Sequence, residues 1–193
     1  FKPMVIGTFI MVATYSLFYI MTAFAQAYSR TPATLSEAGY PMGLGIPSNT
    51  FTGLLLMSAI VFAIFISISG LYADKIGRRK WLIWTTVSIL IFALCMPLFL
   101  GNGTPASVFA FLVIGMALMG MTFGPMAALL PELFPTEVRY SGASLAYNIA
   151  SIIGATIAAM ISLKINALYG LMGVGIYLAI NAFLTLLALL ASK

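Results

Sequence analysis

The chain of 193 residues is 62% hydrophobic and only 7% charged, with a mean hydropathy of +1.11 and a formal net charge of +5. Soluble domains carry about a quarter charged residues, so this composition excludes an ordinary soluble fold and predicts an all-α polytopic membrane protein. There is no histidine, and the single cysteine, Cys95, lies in an apolar run. A disulfide framework and a cysteine–histidine metal site are therefore both excluded.

Six apolar segments are long enough to cross the hydrocarbon core of a bilayer, which takes about 20 residues. They cover residues 3–28, 51–70, 81–100, 106–130, 141–163 and 171–191. A Pro- and Gly-rich connection, 29–50, follows the first segment, and Ser48, Asn49 or Thr50 is expected to cap the second helix. The apolar start without a cleavage pattern indicates a processed chain or a piece of a longer protein, not a signal peptide.

The basic residues fall mainly on one predicted membrane face. Seven of the nine share it: Lys2, Lys75, Arg78, Arg79, Lys80, Arg139 and Lys193. Arg30 and Lys164 lie on the other face. Because cytoplasmic loops are enriched in Lys and Arg, both termini are predicted to be cytoplasmic, in a multi-pass protein of the cell membrane. The same distribution argues against nucleic acid as a partner.

Two charged connections carry recognisable motifs. The first reads Gly70-Leu-Tyr-Ala-Asp74-Lys-Ile-Gly77-Arg78-Arg79, and it resembles the cytoplasmic loop signature of the major facilitator superfamily. A merely positive loop would need neither the aspartate nor the glycines. The second reads Pro131-Glu132-Leu-Phe-Pro135-Thr-Glu137-Val-Arg139-Tyr-Ser141-Gly142. It closely resembles the corresponding stretch of the metabolite:proton symporter branch of that superfamily.

This resemblance implies a fold and a function. The chain would be the C-terminal six-helix half of a twelve-helix transporter, with an N-terminal six-helix half, a small organic solute, a proton and the lipid bilayer as its partners. The function implied is secondary active transport of an organic acid or osmolyte by alternating access, coupled to protons. A six-helix membrane scaffold or interaction domain without transport is the alternative, although it leaves the paired motifs unexplained.

The resemblance also implies a cytoplasmic gate built from the charges of the two connections. The candidate gate residues are Asp74, Arg78, Arg79, Glu132, Glu137 and Arg139. The expected ion pairs are Asp74 with Arg139, and Glu132 with Arg78 or Arg79. The alternative is a set of independent, solvated charges.

Polar side chains inside the spans are candidates for a substrate cavity, because burying them in lipid is costly. Tyr15, Tyr19, Thr22 and Gln26 are spaced by four, three and four, which predicts one shared helix face. Tyr147, Asn148 and Ser151 form a second polar stripe, together with Ser144. Interhelical hydrogen bonding is the alternative; it is favoured for the serines and is equally compatible with Tyr19, Gln26 and Asn148. Asn181, alone in the sixth span, is expected to make a packing contact.

Glycine and proline predict where helices pack closely or bend. Gly70 and Gly77 allow close approach and a tight reversal, and Gly120 and Gly124 form a Gly-x-x-x-Gly pair. Pro125 removes a backbone donor and favours a kink. Trp81 and Trp84 are expected at the membrane interface.

All four acidic residues, Glu37, Asp74, Glu132 and Glu137, lie outside the predicted spans. A proton site is therefore expected in the other half of the transporter. The spans contain no nucleophile–base pair and no metal ligands. Neither enzymatic activity nor a bound cofactor is therefore predicted. No Arg or Lys lies mid-span, so an anionic substrate would rely on the other half or on Tyr, Asn and Gln side chains.

Overall fold

A computed structural model describes residues 2–154 and 158–192 of the chain. Its helices are α1 (Lys2–Tyr19), a π-helical turn (Ile20–Phe24), α2 (Ala25–Arg30), α3 (Ser48–Ile76), α4 (Arg78–Leu100), α5 (Pro105–Glu132), a 3₁₀ turn (Thr136–Val138), α6 (Arg139–Ile152) and α7 (Ala158–Ala191). Within these described ranges, five helical segments are long and apolar enough to cross a membrane: Lys2–Arg30, Ser48–Ile76, Arg78–Leu100, Pro105–Glu132 and Met160–Ala191. The predicted all-α polytopic class is confirmed. Lys193 and the middle of the predicted fifth span lie outside the described residues.

The first charged connection consists almost entirely of helix ends. Helix α3 continues to Ile76 and α4 begins at Arg78, so only Gly77 lies between them. Its φ of 102° and ψ of 121° are backbone angles that side-chain-bearing residues adopt only under strain. The expected loop at 71–80 is therefore a one-residue reversal, which places Asp74 on α3 and Arg78 on α4.

A second single-glycine break occurs within α7, at Gly170, where φ is 69° and ψ is −171°. A loop was expected between the fifth and sixth spans, but residues 158–169 and 171–191 are both helical. A Cβ atom at Gly170 would lie 2.6 Å from the ring of Tyr40, so the 29–50 connection packs directly against the break.

The helices α3 and α5 approach each other at glycine. A Cβ atom at Gly120 would lie 2.7 Å from the carbonyl oxygen of Phe62, and one at Gly124 would lie 2.7 Å from that of Ile66. At Gly70 the added atom would meet nothing within 4 Å. The close approach therefore requires the glycines of α5, and the expectation that Gly70 is needed for packing is wrong.

Pro125 leaves one carbonyl of α5 without its helical donor, and α4 supplies a replacement. Proline lacks an N–H, so the carbonyl of Met121, four residues earlier, cannot receive the usual bond. The indole N–H of Trp81 donates to that oxygen at 2.9 Å. Trp81 thus has a partner inside the bundle, whereas Trp84 is 61% exposed, as suits an interfacial position.

The 29–50 connection covers the C-terminal end of α2. Backbone N–H groups of Leu44 and Ile46 donate to the carbonyls of Tyr28 and Ser29, at 3.1 and 2.7 Å. These contacts satisfy carbonyls that a helix end leaves free. The following helix, α3, begins at Ser48 after Pro47 and has no side-chain cap, so the expected capping by Ser48, Asn49 or Thr50 is wrong.

The position of each helix follows from its packing partners. Helix α1 packs against α6 and α7, α4 packs against α5 and α7, and α3 packs mainly against α5. Each of these segments contains an apolar stretch of 18 residues. In Lys2–Arg30, 67% of that stretch is buried, whereas in Ser48–Ile76 only 11% of it is buried. Helix α1 is therefore central in this bundle, while α3 leaves most of its apolar surface uncovered.

Candidate functional site: a charged cluster and a cavity at one end of the bundle

The ends of three helices are joined by one guanidinium group. Arg78 Nε lies 2.8 Å from Asp74 Oδ1, and Arg78 Nη1 bonds to Glu132 Oε1. We call Asp74, Arg78 and Glu132 the charged cluster. The exposed fractions of their side chains are 61%, 31% and 55%. Arg78 is charged at any ordinary pH, as arginine is in proteins, so the link to both carboxylates is ionic.

The two neighbouring arginines have different partners. Arg79 donates from Nε to the carbonyl of Leu189 at 2.7 Å and from Nη2 to that of Leu190 at 2.8 Å. These carbonyls belong to the C-terminal end of α7, where a cation is favourable to the helix dipole. Arg79 therefore fastens α4 to α7, and it does not pair with Glu132.

The remaining gate candidates lie apart from the charged cluster. Arg139 contacts the carbonyl of Phe134 through Nε at 3.5 Å, the outer limit of a hydrogen bond. Within residues 2–154 and 158–192, no ion pair joins it to Asp74. The expected Asp74–Arg139 pair is wrong for this structure: Asp74 pairs with Arg78 across the reversal at Gly77, and Arg139 lies at the Phe134 carbonyl. Glu137 lies exposed in the 3₁₀ turn.

A cavity of about 610 Å³ opens between α1, α5 and α6. We call it the α5–α6 cavity. It is lined by Met11, Phe123, Met126, Ala127, Leu130, Pro131, Thr136, Arg139, Tyr140, Ala143, Ser144 and Tyr147. Its wall is mainly apolar, with hydroxyl groups and one guanidinium along α6 and the 3₁₀ turn.

The polar stripe of α6 divides at this cavity. Tyr147 and Ser144 line it, whereas Asn148 and Ser151 do not. Asn148 donates its side-chain amide to the carbonyl of Ser144 at 2.8 Å, within its own helix. Tyr15 of α1 lies behind the cavity, with its ring edge-on to that of Tyr147 at a centroid distance of 5.4 Å.

The α1 stripe is not regular. The π-helical turn Ile20–Phe24 separates Tyr19 from Gln26, and its wider turn rotates the residues that follow. The turn changes the register between Tyr19 and Gln26, but Tyr15 and Tyr19 remain four residues apart in α1, and Tyr19, Thr22 and Gln26 are all partly exposed. The shared face of the four residues therefore stays a prediction. The Thr22 hydroxyl donates to the carbonyl of Phe18 at 2.7 Å, inside its own helix.

Buried polar contacts between α7 and α1 include residues to which sequence reasoning gave no role. The Thr185 hydroxyl donates to the Phe9 carbonyl at 2.6 Å and accepts from the Ala13 N–H at 3.1 Å. One turn earlier, the Asn181 amide donates to Ser16 Oγ at 3.0 Å. We call these contacts the α1–α7 seam. The sequence predicted a structural contact for Asn181, and the spacing of four from Asn181 was the signal that could have added Thr185.

These features define a helical membrane bundle with linked helix ends at one side and a cavity of solute size beside them, as expected in a membrane transporter. Residues 42–191 match the family "Sugar (and other) transporter". The chain belongs to this family of the major facilitator superfamily, whose members are transporters and not enzymes. The resemblance of the two charged motifs is thereby confirmed.

Several curated proteins are similar in sequence. The chain is 86% identical over 192 residues to a Haemophilus influenzae protein named "Putative metabolite transport protein", with 100% of this chain and 44% of that protein covered. It is 54% identical over 188 residues to the "Inner membrane metabolite transport protein YhjE" of Escherichia coli, covering 96% and 41%. It is 30% identical over 145 residues to the "Proline/betaine transporter" of Salmonella typhimurium, covering 73% and 29%. The chain spans less than half the length of each relative. No solved structure matches.

Proposed function

We propose that this chain forms one six-helix half of a secondary active transporter that carries a small organic solute, an organic acid or an osmolyte, together with a proton. Family membership supports transport of a metabolite. The names of similar proteins support the finer statement, since one is an inner membrane metabolite transporter and another carries proline and betaine. On this proposal the protein lies in the inner membrane, with the charged cluster at the cytoplasmic face.

The observation that carries the proposal is the position of Arg78. Its guanidinium joins the end of α3, through Asp74, to the end of α5, through Glu132. Exposed ion pairs contribute little net free energy, so such a link can form and break within a transport cycle. The charged cluster therefore acts as part of a cytoplasmic gate that closes when the helix ends are joined.

The second half of the transporter supplies what this bundle lacks. Alternating access places the solute between two bundles, and the relatives are more than twice as long as this chain. The uncovered apolar surface of α3 is available to lipid or to that second half. Because the acidic side chains of this chain lie at helix ends or in connections, the proton site belongs to the other half.

Uptake by the full-length protein tests the proposal. We expect proteoliposomes to take up at least one labelled solute from a panel of organic acids, L-proline and glycine betaine, with saturable kinetics. Inward proton movement should drive the uptake, so a protonophore should abolish it. Saturable uptake that persists without any proton gradient would contradict the coupling alone. No uptake of any solute by protein shown to be folded would contradict transport and favour a scaffold.

A further inference from the structure

The first turn of α4 contacts α5 at two places. Arg78 bonds through Nη1 to Oε1 of Glu132, the last residue of α5. Three residues further along α4, the indole N–H of Trp81 donates to the carbonyl of Met121 at 2.9 Å. Met121 and Glu132 are eleven positions apart, which is about 16 Å along an α-helix. One short stretch of α4 therefore holds α5 at its end and again deep within it.

Pro125 lies between these two contacts and weakens α5 there. It has no N–H, so the helical bond to the Met121 carbonyl is missing, and its ring crowds the same carbonyl. Gly124, beside it, has no side chain to brace the helix and lies close to the Ile66 carbonyl of α3. Helices bend most readily at proline and at small residues of this kind. Residues 126–132 can therefore change direction relative to the part of α5 before them.

The indole contact is enclosed by neighbouring side chains. The ring of Trp81 stacks on the ring of Tyr72 in α3, with centroids 6.0 Å apart and planes 18° from parallel. Next to the bonded carbonyl, Ser69 of α3 donates to the carbonyl of Gly120 at 3.0 Å. Both Trp81 and Met121 are partly buried. In a membrane, the carbonyl that a proline leaves free would lose its replacement donor if the indole moved away, so this contact is costly to break.

The ion pair at the end of α5 is different. The side chains of Arg78 and Glu132 are 31% and 55% exposed, so water can replace each partner when they part. The ion pair therefore separates more easily than the indole contact. When it separates, Trp81 still fixes α5 at Met121, and the end of α5 is free to move.

We propose that Trp81 is a positioning residue of the cytoplasmic gate, where its indole N–H replaces the bond lost at Pro125 and forms the pivot of a hinge in α5. Residues 126–132 swing about this pivot when Arg78 and Glu132 separate, while the rest of α5 stays on α4. This role rests on the proposed transport function. Trp81 needs no contact with the solute, because it determines where Glu132 returns when the gate closes.

Restoring the missing N–H tests the pivot. Trp81→Phe keeps an aromatic ring beside Tyr72 and removes the indole donor, whereas Pro125→Ala supplies a backbone N–H to the Met121 carbonyl. The measurement is amide hydrogen exchange of residues 122–132, in the full-length protein in lipid nanodiscs. Trp81→Phe should speed this exchange about fivefold or more, because local opening no longer has to break the indole bond.

The two substitutions should not be additive. In the Pro125→Ala background the carbonyl has a backbone donor, so adding Trp81→Phe should leave the exchange nearly unchanged. Trp84→Phe is the matched control, since it makes the same substitution three residues along α4, at a side chain that is 61% exposed. It should leave the exchange of residues 122–132 unchanged in both backgrounds. If Trp81→Phe alone fails to insert into the membrane, the double variant with Pro125→Ala should restore insertion.

Uptake measures the consequence for the gate. Trp81→Phe should lower the maximal rate of solute uptake several-fold and leave the half-saturating concentration nearly unchanged, because closure is impaired and solute contacts are not. Pro125→Ala should also lower the maximal rate, since it removes the hinge. Adding Trp81→Phe to it should cause no further loss, and Trp84→Phe should change neither quantity.

The outcomes separate the hinge from the transport function. Equal acceleration of exchange by Trp81→Phe in both backgrounds would overturn the pivot, because the ring would then act by packing alone. Faster exchange throughout α4 and α5, the same change in Trp84→Phe, no change at all, or lost insertion that Pro125→Ala does not restore would overturn it too. Coupled exchange with unchanged uptake would remove Trp81 from the gate. Coupled exchange in a protein that moves no solute would instead keep the hinge and remove the transport proposal.

Discussion

The charged cluster and the α1–α7 seam use polar side chains in opposite ways. In the charged cluster, Arg78 and its two partners are 31–61% exposed. In the seam, Asn181 and Thr185 are 8% and 1% exposed, and of their partners on α1, Ala13 and Ser16 are buried and Phe9 is partly buried. Water can replace the partners of an exposed charge when it separates, but nothing replaces those of a buried hydroxyl or amide.

This difference assigns a mechanical role to each region. A contact that water can replace separates at little net cost, which suits helix ends that part in the proposed transport cycle. A contact sealed from water keeps two helices in fixed register, which suits α1 and α7 moving as one body. The transporter half is thus expected to be rigid through its centre and adjustable at its charged end.

Loss of the Thr185 hydroxyl should produce the largest effect on stability. Thr185→Val keeps the shape but removes both hydrogen bonds to α1, and interhelical hydrogen bonds in membranes contribute about 0.6–2 kcal/mol each. We expect the full-length protein to lose about 1–2 kcal/mol of unfolding free energy in detergent. Thr185→Ser keeps the hydroxyl and should lose clearly less. Equal losses in the two variants would mean that packing, and not hydrogen bonding, holds the seam.

Asn181 should show a smaller effect at the same seam. Asn181→Leu removes one hydrogen bond to Ser16 and leaves an apolar side chain of similar size, so a loss of about 0.6 kcal/mol is expected. The double variant Asn181→Leu, Ser16→Ala measures the coupling between the two residues. Strict additivity of the two single losses would show that the observed hydrogen bond contributes nothing.

Arg79 is adjacent in sequence to Arg78 of the charged cluster, but it binds the C-terminal end of α7. It therefore tests whether a neighbouring charge with structural partners behaves like the seam. Its two bonds to helix carbonyls hold α4 against α7, and a cation at a helix C-terminus contributes about 0.3–1 kcal/mol. Arg79→Gln should therefore lower the thermal midpoint slightly, with little change in the solute concentration for half-maximal uptake. An unchanged midpoint with altered uptake would place Arg79 in the gate, as the motif alone suggested.

The sequence predicted the helical class well, because long apolar runs in a chain with 7% charge allow few other structures. It also predicted an ion pair between Glu132 and Arg78 or Arg79, and the structure has one with Arg78. The partner of Asp74 could not be predicted, since it depends on the single-residue reversal at Gly77. The π-helical turn in the first span could not be predicted either, because hydropathy does not register it.

Thr185 of the seam and the partner of Arg139 were missed for a related reason. Thr185 lies in an apolar run and carries no charge, so composition gave no reason to single it out. Arg139 was predicted to pair with Asp74, whereas the contact it makes is with the Phe134 carbonyl. Which charges share a surface is decided by helix packing, and that depends on contacts such as those of Gly120 and Gly124 with α3.

Substitution in the charged cluster should have the smallest effect on stability. It should instead change the balance between the closed and open states of the protein. Arg78→Gln breaks the links to Asp74 and Glu132, but the carboxylates released are already exposed to water, so the unfolding free energy should hardly change. The protein should instead spend more time open to the cytoplasm. A thiol introduced by Ser144→Cys, in a Cys95→Ser background, should then react several-fold faster with a maleimide added from that side, because closed and open states differ in its exposure.

The matched variant Lys75→Gln removes one positive charge of the same helix-end region without breaking either ion pair, and should leave the reaction rate unchanged. High salt should bring the parent protein toward the behaviour of Arg78→Gln, since salt screens exposed ion pairs. If Arg78→Gln lowered stability as much as Thr185→Val and left the thiol reaction unchanged, the charged cluster would be a structural link like the seam. The division between a rigid centre and an adjustable end would then be wrong.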